Sequence, residues 1–251
     1  MIALVTGASS GIGYEISKYL SSKGYDIIAV ARDETKLEKL RRECSTNVET
    51  YIADLSNKEK VKELYEYVKD KDIEVLVNNA GFGAFGTFEN IDFDFQMQMI
   101  DVNIKALHML IYMFLKDMKR KNKGYILNIG SIAGFLPGPL MTEYYATKSY
   151  VLRLTQGINK ELKKAKSNVS ISVCCPGPVA TNFNNVAGVK FALRAKTSDF
   201  VAKKAVDGMF KRKEIICPGI SEKFVKLARK FVSDKILAEI SFHMQKKKDK
   251  K

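Results

Sequence analysis

Seven short runs rich in isoleucine and valine punctuate the chain: IALVT at 2 to 6, DIIAVA at 26 to 31, VETYIA at 48 to 53, IEVLVN at 73 to 78, GYILNIG at 124 to 130, VSISVCC at 169 to 175 and EIIC at 214 to 217. Near-continuous apolar character needs cover on both faces, which is the condition of strands inside a parallel sheet. Amphipathic stretches of helical length lie between the runs, so strand and helix alternate throughout. The expected fold class is therefore α/β: a doubly wound, seven-stranded parallel sheet with helices on both faces, forming one domain over residues 1–245. No Gly/Ser/Pro-rich linker interrupts the pattern, and residues 246–251 read as a basic tail. An apolar content of 46% over 251 residues is ample for a buried core.

Several function classes recede on composition. The formal charge of +14 invites nucleic acid, yet the lysines are spread over many segments and only QKKKDKK at the end forms a run, so no nucleic-acid partner is expected. The cysteines Cys44, Cys174, Cys175 and Cys217 contain no C-x-x-C, and His108 and His243 lie far apart, so no metal site is expected. The apolar stretch Ala106 to Leu115 is about half of a bilayer span, and the opening MIALVTGASSG falls short of a signal-peptide core. A cytoplasmic location is the expectation.

Ligands of doubly wound sheets sit beyond the carboxyl ends of the strands, so the strand-to-helix junctions carry the information. After the first run, TGASSGIG places Gly7, Gly11 and Gly13 around Ser9, Ser10 and Ile12, directly ahead of a helix. Glycines there let the backbone approach a pyrophosphate, which then faces the unpaired amides of the helix start. After the second run stands Arg32, where an acid would bind ribose hydroxyls and an arginine accommodates a 2′-phosphate; this favours NADP(H) over NAD(H). Asp33 beside it is the complication, and a helix N-cap is its ordinary role. Asp54 and Leu55 close the third run, Asp54 as an adenine contact or simply a cap, and Asn79, Ala80 and Gly81 follow the fourth in NNAGFGAFG.

The segment TEYYATKSY raises a question of its own. Tyr144 and Lys148 are four apart and share a helix face, whereas Tyr145 points elsewhere. Spacing alone decides nothing, because Tyr-x-x-x-Lys recurs at Tyr14, Tyr19, Tyr65, Tyr67 and Tyr112, where a solvated helix face is the plain explanation.

The ordered set of TGxxxGxG, DL, NNAG, a helix asparagine, a serine, YxxxK and PG, running from Gly7 to Thr181, resembles the short-chain dehydrogenase/reductase family. The resemblance implies that Ser131, 13 residues ahead of Tyr144, belongs with that tyrosine and that Tyr144 is the acid/base. It further implies that Lys148 binds the nicotinamide ribose and lowers the phenol's pKa, that Ser131 holds the substrate oxygen, and that Asn103 holds a relay water. Pro176, Gly177, Val179 and Thr181 of PGPVAT would contact the nicotinamide end. The chemistry suits these residue types: a phenol titrates near ~10, and each unit of depression requires ~1.4 kcal/mol of favourable contact. Turn formation for Ser131 and helix packing for Asn103 are the competing readings; Cys174 and Cys175 fit as small buried side chains.

The family's substrate lid corresponds to residues 182–197, where Phe183, Val186, Val189, Phe191 and Leu193 are apolar. Phe82, Phe85, Phe88, Phe135, Leu136, Pro137, Leu140 and Met141 lie on neighbouring loops. Such walls suit a hydrophobic secondary alcohol or ketone, first a hydroxysteroid-like one, with a 3-oxoacyl thioester second. A non-catalytic NADP(H)-binding redox sensor is the alternative from another class. The amphipathic helices over about 221–245 carry Phe224, Leu227 and Phe231 among lysines; packing on the domain or a sister subunit is the expectation, with peripheral membrane contact less favoured. A homodimer or homotetramer is implied by the resemblance.

Overall fold

In the computed structural model, which describes residues 1–181, 183, 187, 195–229 and 231–246, the apolar runs form β1 Ile2–Thr6, β2 Asp26–Ala31, β3 Val48–Ile52, β4 Ile73–Asn78, β5 Gly124–Ile129, β6 Val169–Cys174 and β7 Ile215–Ile216. All seven pair in parallel in the order β3-β2-β1-β4-β5-β6-β7. Between and after them lie α1 Gly11–Ser22, α2 Glu34–Glu43, α3 Lys58–Val68, α4 Phe93–Ile100, α5 Leu107–Lys121, α6 Thr142–Lys164, α7 Ser198–Phe210, α8 Ile220–Ala228 and α9 Asp234–Lys246. Thr197 caps α7, its side chain accepting from the Phe200 amide.

Side chains alternate across a strand, so each run feeds two cores. Leu4, Leu76, Ile126 and Ile171 point to one face, where Leu64 of α3, Phe114 of α5 and Val151 of α6 cover them. Val5, Val77 and Leu127 point to the other, under Ile16 of α1, Leu37 of α2 and Val206 of α7. Among the described residues no helix is long and apolar enough to cross a membrane.

The chain moves outward from β1 through β2 to β3, then returns to lay β4 on the opposite side of β1. Loops leaving β1 and β4 therefore diverge and leave a crevice at their carboxyl ends. Side chains fix its two lips. Thr6 Oγ1 accepts from the amides of Asn79 (3.0 Å) and Ala80 (3.1 Å), and Asn79 Nδ2 donates to the carbonyls of Thr6 and Gly7, both at 3.0 Å. Helix α1 can begin this close only because Gly13 has no side chain: a Cβ there would lie 2.3 Å from Asn79 Nδ2 and 2.4 Å from the Gly7 carbonyl. Overpacking of this kind costs about 1–3 kcal/mol. Gly13→Ala is expected to destabilise the protein by that amount in urea denaturation. Gly157→Ala, at an exposed helical site with nothing within 4 Å of the new methyl, should instead stabilise by about 0.5–1 kcal/mol.

Candidate active site

A cavity of about 940 Å³ opens over the crevice. Of the residues expected to meet the cofactor, all but Gly13 line it, and Gly13 acts from below as the packing position just described. At the dinucleotide end, Ser10 precedes α1 with extended backbone (φ −163°) and makes no side-chain cap bond, and the first turn holds no acid. The first-turn amides are thus left for an anion. Arg32 reaches into solvent, 69% exposed and 3.9 Å from Asp54. Asp33 is the N-cap of α2: its carboxylate accepts from the Lys36 amide at 3.0 Å and lies 2.6 Å from Lys36 Nζ, and the hydrogen-bonded Lys36 side chain lowers its pKa. Asp54 accepts from the Ser56 amide (3.0 Å) and hydroxyl (2.8 Å) in a local turn on the cavity wall; it does not cap α3, whose N-cap is Asn57, with its side chain accepting from the Glu59 and Lys60 amides.

The catalytic candidates sit where α6 crosses the end of β5. The turn Ile132–Phe135 packs so tightly under α6 that a Cβ on Gly134 would fall 2.6 Å from the Lys148 carbonyl. Ser131 starts that turn, accepting from the Ala133 amide at 3.1 Å, with the Pro176 carbonyl 3.5 Å from its hydroxyl. Lys148 is 6% exposed, donates to the Ile129 carbonyl at 2.9 Å, and stands 5.8 Å from the centre of the Tyr144 ring. Burial lowers its pKa to about 8. Burial raises the Tyr144 phenol well above its ordinary value, and a hydrogen bond with Ser131 pulls weakly the other way. The Tyr144 phenol therefore keeps its proton at neutral pH.

Asn103 is 1% exposed and does not line the cavity. Its side chain accepts from the Phe82 amide (3.1 Å) and donates to the Phe82 carbonyl (2.9 Å) and Thr147 hydroxyl (3.1 Å). The side chain is therefore a clamp on the loop after β4, and a water would have to be held by its main chain, which sits in the widened, i+5-bonded turn Asp101–Ala106 between α4 and α5. Phe82, Leu136 and Phe183 line the cavity, but Phe85 does not: it packs behind the wall on Met141 and Ala187. Phe88 is 60% exposed and Phe135 belongs to the core. Val186, Val189, Phe191 and Leu193 lie outside the described residues, as does the tail beyond Lys246.

Tyr145 corrects the sequence reading, because it too lines the cavity, its ring 6.2 Å from that of Tyr144. The cavity wraps around the start of α6, and Gln245 of α9 closes that side by donating to the Tyr145 hydroxyl at 2.5 Å. Burial pushes the Tyr145 phenol up to about 12.

Two features had no sequence signal. The C-terminal helices form the roof, through Val225, Ala228, Leu237 and Ser241. Glu222 of α8 is fully buried and accepts from the Gly177 amide at 3.0 Å while ion-pairing with Lys196. Lys196 in turn bridges to the strand-like segment at Val179 through the Pro178 carbonyl and Ala180 amide, so the Val179 amide takes no part in that bridge. Cys174 and Cys175 are fully buried at the end of β6, and burial raises both thiols. Glu222→Ala is expected to cost about 2 kcal/mol, from a stranded amide and a half-stranded lysine, and to raise the Kd for the dinucleotide more than Lys196→Met does, measured by thermal unfolding and fluorescence titration.

Among the described residues no cluster of His, Cys, Asp or Glu suits a metal. A family model for short chain dehydrogenases matches residues 1–189. An uncharacterized oxidoreductase of Staphylococcus saprophyticus is 40% identical over 186 residues, 72% of this chain and 79% of that protein. Among solved structures, a short-chain dehydrogenase from Sphingobium yanoikuyae in complex with NADPH superposes with a TM-score of 0.83 at 30% identity, covering 92% of this chain and 94% of the other. A bulky-bulky ketone specific alcohol dehydrogenase from Comamonas testosteroni superposes with a TM-score of 0.79 at 28% identity, over 92% and 91% of the two chains. The seven-stranded sheet, the glycine turn at its switch point and these relatives agree: the chain belongs to the short-chain dehydrogenase family and is an oxidoreductase acting on CH–OH groups.

Proposed function

We propose that the protein uses NADP(H) to interconvert a bulky hydrophobic secondary alcohol and its ketone, hydroxysteroid-like in size. The observation that carries this reading is the meeting of Ser131, Tyr144 and Lys148 on one wall of a cavity whose other end offers unpaired helix amides and the Arg32 guanidinium. Apolar walls at Phe82, Leu136 and Phe183 support the substrate class, as does the ketone preference stated for the Comamonas neighbour. The NADPH complex of the Sphingobium neighbour supports the cofactor. Arg32 supports it further, because it stands at the end of β2 where an NAD site would hold an acid.

The glycine turn and α1 would hold the pyrophosphate, Arg32 the 2′-phosphate, and the loops at Asn79–Gly81 and Pro176–Thr181 the nicotinamide half. When bound, the nicotinamide gives or takes the hydride. Ser131 donates to the substrate oxygen as negative charge develops on it. Tyr144 gives that oxygen its proton in reduction and takes it back in oxidation. Lys148 supplies the adjacent positive charge that makes the second direction possible, and its ammonium, which donates to the Ile129 carbonyl, would also hold a ribose hydroxyl of the bound cofactor. Asn103 holds Phe82 and Thr147 in place, and its main-chain carbonyl is the candidate holder of a relay water. The homodimer or homotetramer implied by the family belongs to this reading and is measured by light scattering.

Tyr144→Phe should lower kcat for reduction of a hydrophobic ketone by about 10²-fold or more, while Tyr145→Phe retains turnover; equal loss from both would overturn the assignment. The Lys148 pKa is lowered from its ordinary value to about 8, so its charge is present at pH 7 and lost as pH rises through about 8. kcat/KM for NADPH should fall across that interval, and Lys148→Met should lack this limb. Arg32→Ala should raise KM for NADPH about tenfold, the loss of one charged contact, and leave KM for NADH nearly unchanged.

A further inference from the structure

We infer that α8 and α9 form a docking face for an anionic lipid bilayer, set at the mouth of the cavity. Ile220, Phe224, Leu227 and Phe231 recur at helical spacing along and just past α8, and Ile236, Ile240 and Met244 do so on α9. All seven are exposed, from 49% at Met244 to 84% at Ile220. They are half of the fourteen large apolar side chains exposed among the described residues, gathered into one short part of the chain. Scattered exposed apolar residues need no explanation, but a concentrated patch marks a partner surface.

The two helices are already packed on their inner side, where Glu222, Leu237, Ser241 and Gln245 are buried. The expectation that they pack on their own domain is thus met by one face only. Phe224, Ile240 and Met244 stand at the rim, both exposed and lining the cavity.

Charge selects the occupant. Lys223, Lys235 and Lys246 are exposed and Lys226 and Arg229 half-exposed around the stripe, against two exposed carboxylates, Asp234 and Glu239, while Glu222 is buried against Lys196. The net positive charge of the face opposes a self-contact, and a second copy docking α8 on α8 would set Lys223, Lys226 and Arg229 against like charges. Lipid phosphates neutralise them while the apolar stripe enters the acyl boundary, the arrangement of interfacial amphipathic helices. A lipophilic substrate then passes from bilayer to cavity at Phe224, Ile240 and Met244 without crossing water. That last step rests on the oxidoreductase reading; docking itself does not.

The test is flotation of the full chain, without cofactor or ketone, with vesicles of phosphatidylcholine alone or mixed with phosphatidylglycerol. The protein should float with the anionic vesicles, less so at high salt, and not with the neutral ones. Leu227→Glu combined with Phe231→Glu, at positions outside the cavity lining, should lower partitioning by about tenfold or more while keeping the Tm and the turnover of a short, water-soluble ketone. Absence of anionic binding would overturn the inference, and so would binding that survives the double substitution, which the basic tail alone would explain. A dimer seen by sedimentation equilibrium that the same substitutions split, without vesicle binding, would assign the face to a second copy instead. Because turnover is not the readout, failure here leaves the redox reading standing, and the reverse holds too.

Discussion

A lysine left 6% exposed, with its ammonium group donating to the carbonyl of Ile129, is a heavy constraint on a fold. Taking such a charge out of water is unfavourable by several kcal/mol unless the surroundings replace the lost solvation. Lys148 is held at that depth because α6 lies almost in contact with the turn after β5, the place where Gly134 has no side chain to keep it away. Ser131 heads the same turn and Tyr144 lies one helical turn before the lysine, so the three side chains cannot be moved independently. The depressed pKa of Lys148 and the raised one of Tyr144 have the same physical origin, desolvation by the surrounding protein.

That corner is braced by polar contacts that run through the sheet. Asn78 Nδ2 donates to Asn128 Oδ1 at 2.9 Å, Asn128 Nδ2 to the Thr155 hydroxyl at 2.8 Å, and Thr155 to the Val151 carbonyl at 2.7 Å, which joins β4, β5 and α6 inside the core. With Thr6 and Asn79 tying β1 to the loop after β4, both halves of the crevice are held by the protein's own hydrogen bonds without a ligand. Preorganisation of this kind is what lets donors act on developing charge without first having to be oriented.

Much of this was legible in the residues. Six of the seven strands begin where their apolar runs begin, because continuous Ile and Val leave a buried parallel strand as the only comfortable conformation. The choice of Tyr144 over the other Tyr-x-x-x-Lys pairs rests on the family resemblance that pairs it with Ser131; both side chains line the cavity. What stayed hidden depends on tertiary neighbours. Glu222 sits among lysines and looks like one member of a solvated ion pair; only the approach of Gly177 and Lys196 makes it a buried clasp. Gln245 meets Tyr145 across 100 positions of sequence, and nothing in DVNIKA announces a widened helical turn. Phe82 and Phe85 are three apart on one irregular loop, where neither a helical nor a strand period tells inside from outside.

The thiols at the end of β6 bear on how such a protein meets oxidants. Sulfenylation and alkylation need a thiolate, and desolvation disfavours that form at all four cysteines, most strongly at Cys174 and Cys175. Cys44 and Cys217 are only partly covered, so slow covalent damage falls first on the rim of α2 and the margin of β7. Cys174 and Cys175, beside Pro176 and Gly177, are fully buried and disfavoured as thiolates, which shelters the wall that would face a nicotinamide from the same chemistry.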